Sequence, residues 1–180
     1  MIEIRVYATT IASTIPIVVY WGALAVFVIG VFVLLCWKGL KTGGRYASVL
    51  LLVEWGALML CATVIFRTAS AESGFRLIPF SSYWDFGPHG YLLEMVGENI
   101  LNVLLFVPVG FLLGCGFLGM TWKRALMTGC GLSVTIELLQ LLSHKGYCEV
   151  DDVLHNIIGC LMGYGTYAVI RMCKGKKMVS

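Results

Sequence analysis

Glu137 and Gln140 stand three residues apart in a stretch that is otherwise almost wholly apolar, Ala125 to Ser143. A second polar group, Asp151, Asp152, His155 and Asn156, opens another apolar stretch. A third, Glu98 and Asn102, opens a further one. Carboxylates with amides and a histidine can carry protons, hold a headgroup, or clamp helices together through hydrogen bonds. Neither His144 nor His155 stands beside a Ser or Cys in a nucleophile–base pattern, and the spacing matches no zinc signature such as H-E-x-x-H. The residues therefore assign no catalytic role and call for no metal or cofactor.

The surroundings of these residues fix the class of protein. Of 180 residues 59% are apolar and 13% are Asp, Glu, Lys or Arg, with a mean hydropathy of +0.88. Soluble domains carry about 25% charged residues. The composition excludes a soluble enzyme, a disordered tail and a nucleic-acid binder. It indicates an all-α integral membrane bundle, because lipid admits only helices and closed barrels and the alternating pattern of a barrel is absent.

Five runs are long enough for a bilayer core about 30 Å thick. They are Ile15 to Trp37, Tyr46 to Phe66, Glu98 to Leu118, Ala125 to Ser143 and Asp152 to Ile170. The first is a retained span rather than a cleaved signal peptide, since it is too long and no small-x-small site follows. The chain thus divides into two N-terminal spans over 1–66, an extracytoplasmic aromatic loop over 67–97, a three-helix core over 98–170 and a basic tail over 171–180. Nine of the thirteen Lys and Arg residues fall in connectors 38–45 and 119–124 and in the tail after 170. Basic residues stay on the cytoplasmic side. That predicts a multi-pass protein of the cell membrane with its N-terminus outside and its C-terminus in the cytoplasm.

With this topology the polar residues converge. Glu98 and Asn102 lie in the first outer turns of the third span. Glu137 lies about 9 Å below the outer end of the fourth, and Asn156 about 6 Å below Asp152 in the fifth. Each set also falls on one helix face: Glu98 with Asn102, Glu137 with Gln140 and His144, and Asp152 with His155, Asn156, Gly159 and Gly163. Gly159 and Gly163 allow the fifth span a close approach to a neighbour. Pro108 frees a carbonyl in the third span, where a kink is expected.

Each feature has a plainer reading. Glu137 and Gln140 can form an interhelical clamp. One of Asp151 and Asp152 can favour the positive end of its own helix as an N-cap. Asn102 and Asn156 can be hydrogen-bonded glue. Glu54, near mid-membrane, is either hydrogen-bonded to a neighbour or paired inside the bundle. Of seven cysteines only Cys148 lies in an outer connector, so no two can form an outer disulfide. The aromatic residues Phe75, Phe80, Tyr83, Trp84, Phe86 and Tyr91 mark the membrane interface or form a re-entrant lid.

These motifs resemble those of VanZ-like membrane proteins. Arg76-Leu77-Ile78-Pro79-Phe80 is similar to that family's L-I-P-F stretch. The run Asn102 to Phe111 resembles its N-x-L-L-F-x-P-x-G-F, Glu137 to Gln140 its E-x-x-Q, and Glu149 to Gly159 its acidic D-x-x-D-x-x-x-N-x-x-G run. The four occur in order between 76 and 163, about half the chain. Three departures stand out: Gly146-Tyr147 where many members carry an Arg, Glu149 in place of the first Asp, and Arg76 in place of Asn. The resemblance implies a cell-envelope protein linked to low-level resistance to lipoglycopeptides such as teicoplanin. The implied partner is a membrane lipid, with the lipoglycopeptide or a cell-wall lipid precursor as further candidates. An acid–base enzyme on a lipid-linked substrate and a small transporter remain the alternatives, and the sequence leaves the oligomeric state open.

Overall fold

A computed structural model describes residues 22–24, 26–28, 30–31, 42–67, 70, 73–80 and 92–176. Four long helices account for most of them. α1 is Thr42–Leu60, continued by a π-helical turn, Cys61–Ile65; α2 is Leu92–Gly116, α3 is Trp122–Leu142 and α4 is Val150–Lys176. All four are long and apolar enough to cross a membrane. They correspond to the second to fifth expected spans, with ends displaced by a few residues. The first expected span lies mostly outside the described residues, although 22–24, 26–28, 30 and 31 are helical.

Local chemistry sets the helix ends. Gly119, at φ 68°, turns the chain after α2. Thr121 then caps α3 by accepting from the Arg124 backbone N–H at 3.4 Å. Asp151 and Asp152 occupy the first turn of α4, where negative charge meets the positive end of the helix dipole. Ahead of α4, β2 (Tyr147–Glu149) pairs in parallel with β1 (Gly74–Arg76), aligning Arg76 with Glu149.

The α2–α4 seam is the tightest in the bundle. A Cβ on Gly159 would collide with the Val103 carbonyl, one on Gly163 with the Val107 carbonyl, and one on Gly110 with the Cys160 carbonyl. The close approach expected of Gly159 and Gly163 is therefore made, and α2 is the partner. Beneath it lies a core of Phe106, Val109, Leu113, Ala125, Ile136 and Cys160. Trp55 of α1 stacks on Phe27 at 4.4 Å and donates its indole N–H to the Leu105 carbonyl at 2.8 Å. That bond lies one residue beyond Leu104, whose carbonyl loses its helical donor to Pro108. α2 stays helical through Pro108 to Gly116. Glu54 makes no hydrogen bond or ion pair with another described residue, so neither reading of it is met among them.

Candidate functional site

The polar residues gather where α3 ends and α4 begins. On α3, Ser133, Glu137 and Gln140 share one face by their i, i+4, i+7 spacing, and all three are buried. Glu137 Oε2 accepts the backbone N–H of Glu149 at 3.1 Å. Its carboxylate lies within electrostatic reach of Asp152, Arg67 and Glu149. Asp152 is half-buried and also within reach of Glu98 and His155. One turn further in, Asn156 donates to Ser133 Oγ at 2.8 Å. One turn further out, Gln140 donates to the Thr63 carbonyl at 3.1 Å, in the π turn. Gln140 Oε1 and Asn156 Oδ1 are buried and accept no hydrogen bond among the described residues.

Asp151 is only 2% exposed, and its Oδ1 reaches beyond its own helix. That oxygen accepts the backbone N–H of Phe80 at 2.6 Å. His155 Nδ1 lies 2.6 Å from the Asp151 carbonyl. A carbonyl can only accept, so Nδ1 carries the proton in this contact. Phe80 has a left-handed backbone, φ 62°, which the Asp151 bond helps to hold. With the β1–β2 pairing, residues 74–80 form a strap across the start of α4. The aromatic residues expected in the rest of this loop, Tyr83, Trp84, Phe86 and Tyr91, lie outside the described residues.

The strap and the segment after the π turn bring cations that sequence reasoning did not place here. Arg76 Nη1 donates to Glu149 Oε1 at 3.0 Å, and its guanidinium lies 4.0 Å from the centre of the Tyr147 ring. The Arg67 guanidinium comes within 3.4 Å of where a Cβ on Gly146 would stand. Guanidinium groups from 67 and 76 thus stand beside Gly146-Tyr147, the departure noted in the sequence. The signal was available: an Arg had replaced Asn at 76 just where one was missing at 146–147. Burial raises the Glu149 carboxyl, and Arg76 pulls it back only in part. Burial also raises the Cys148 thiol, with the Glu137 and Asp152 carboxylates adding to it. Cys148 is thereby kept as a thiol, a poor nucleophile.

On α2 the arrangement differs from the expected one. Glu98 is exposed and Asn102 is half-buried, whereas Asn99 between them is buried, at 7% exposure. Asn99 and His155 border a groove of about 210 Å³ lined otherwise by Val96, Ile100, Val103 and Leu104. The structure thus unites Glu137, Gln140, Asp151, Asp152, His155 and Asn156, leaves Glu98 exposed at the edge, and adds the buried Asn99 on α2. Ser133, Thr63, Arg67 and Arg76 complete the set. Among the described residues no three His, Cys, Asp or Glu side chains are disposed to hold a metal ion.

The family model for VanZ/LLP1 matches residues 48–171, from α1 nearly to the end of α4. The chain belongs to the VanZ/LLP1 family. All four motifs that carried the resemblance lie inside that match. Protein VanZ of Enterococcus faecium is 31% identical over 72 residues, which cover 40% of this chain and 45% of that protein. The chain therefore matches less than half the length of that relative. No solved structure matches it. VanZ/LLP1 membership together with four apolar helices makes this a membrane protein.

Proposed function

We propose that this VanZ/LLP1 member is a multi-pass cell-envelope protein, N-terminus outside and C-terminus cytoplasmic. Its polar cluster, on this reading, sits at the outer leaflet, binds an envelope lipid or changes access to it, and so gives low-level resistance to lipoglycopeptides such as teicoplanin. The observation that carries the reading is the meeting of Glu137, Asp152 and Glu149 at one end of the bundle. Lys123, Arg124 and Arg171 lie at the opposite helix ends. Polar groups within a membrane-spanning helix are costly to keep there unless they are used. Glu137→Gln keeps the shape and removes the ionisable carboxyl. The variant is expected to lose protection against teicoplanin while vancomycin susceptibility stays level and membrane protein amounts are unchanged. Equal susceptibility of wild type, variant and deletion strain to both drugs refutes the proposal. Labelling of Glu149→Cys from the cytoplasmic side refutes the orientation.

The closeness of Glu137 to Asp152 favours a second reading, acid–base catalysis on a lipid-linked substrate. It requires a consumed substrate, so identical envelope lipid profiles with and without the protein dismiss it.

A further inference from the structure

Among the described residues the proposed site has more carboxylates than cations. Glu98, Glu137, Glu149, Asp151 and Asp152 face two guanidinium groups, Arg67 and Arg76. Arg76 is paired with Glu149, and Lys145 donates its ammonium to the Ile65 carbonyl at 2.8 Å. Gln140 Oε1, one turn from Glu137 on α3, and Asn156 Oδ1, on α4 beside Ser133, belong to residues 3% exposed, and neither has a donor among the described residues. A buried acceptor without a donor costs about 1–3 kcal/mol, so the cluster is complementary to a group rich in N–H and O–H. A headgroup whose only charge is an anionic phosphate would meet repulsion from the carboxylates.

An apolar channel adjoins this cluster. Asp152 lies on α4 between His155, which borders the 210 Å³ groove, and Asn156, which bonds to α3. Below its polar rim of Asn99 and His155 the groove is lined by Val96, Ile100, Val103 and Leu104. Ile100 and Leu104 are 53% and 57% exposed, facing the hydrocarbon that surrounds the bundle. Donor-seeking carboxylates beside an alkyl groove match one molecule with both parts.

We propose that the cluster and groove bind an amine-bearing membrane lipid, its ammonium at Asp152 and Glu137 and the start of one alkyl chain against Ile100 and Leu104. The assignment rests on the lipid-binding reading above and names the lipid class. The test uses the purified full chain in nanodiscs, with lipid retention measured by native mass spectrometry. Lysyl-phosphatidylglycerol is offered against phosphatidylglycerol, which has the same chains without the amine. The aminated lipid is expected to be retained preferentially. The preference falls at least about tenfold in Asp152→Asn, the change that follows from losing one charge-assisted hydrogen bond. Leu104→Trp fills the groove from its exposed side, sparing the core, and is expected to lower retention while Asp152 is intact. Equal retention of the two lipids, or preference for the unaminated one, overturns the proposal. So does competition by lysine ethyl ester that Leu104→Trp leaves unchanged, since the amine would then bind without a chain. If the lipid preference is absent but Glu137→Gln still abolishes teicoplanin protection, only the ligand class falls and the functional reading survives.

Discussion

Gly163 and Gly165 stand two residues apart on α4, and the same substitution at each should move stability in opposite directions. A Cβ at Gly163 would overlap the Val107 carbonyl oxygen, with Phe111 N and Val107 C at 2.8 and 2.9 Å. These are backbone atoms of a packed helix and have no rotamer to retreat into. Restoring ordinary carbon contacts requires α4 to move from α2 by roughly an ångström. Overpacking of this kind costs about 1–3 kcal/mol. The better helix propensity of Ala over Gly returns up to about 1 kcal/mol. The net cost is up to about 3 kcal/mol, and since each kcal/mol shifts Tm by about 2–4 °C for a chain of this size, Gly163→Ala should lower it by up to about 12 °C. A Cβ at Gly165 meets nothing within 4 Å. Gly165→Ala keeps the propensity gain without the collision and should leave Tm unchanged or raise it by up to about 4 °C. Thermal unfolding in detergent, followed by tryptophan fluorescence, reads both. Equal shifts in the two variants would mean that α2 and α4 are not in backbone contact. The mutual placement of Asn99, Asp152 and His155 would then have lost its support.

Other consequences are smaller or more local. Burial lifts the folded-state Glu149 carboxyl above its ordinary value, so its stabilising contribution is full below the unfolded value and is lost as pH rises through the folded one. Glu149→Gln should flatten that decline in a Tm-versus-pH series. Arg76→Gln, which removes the opposing charge, should push the decline to higher pH; an unchanged profile in both would refute the assignment. Ser133→Ala leaves the buried Asn156 amide without its acceptor and should cost about 1–3 kcal/mol. Asn156→Ala on that background should cost less than it does alone, as a double-mutant cycle of unfolding will show.

Composition and the spacing of charges were enough to establish a helical membrane bundle, because a lipid environment leaves no alternative for long uncharged runs. Ordered motifs were enough for the family, and the 3.6-residue period put Glu137 with Gln140 and Asp152 with Asn156 on single faces. The same period did not single out Asn99, since which side of α2 faces α4 depends on where Gly110, Gly159 and Gly163 let the backbones meet. Nor could it place Arg76, brought to Glu149 by a parallel strand pair 73 residues apart in sequence, or Arg67, which follows the π-helical turn. Periodicity is a property of one helix and was legible in the chain. Contact between segments depends on backbone approach and loop path, and only the folded molecule decided it.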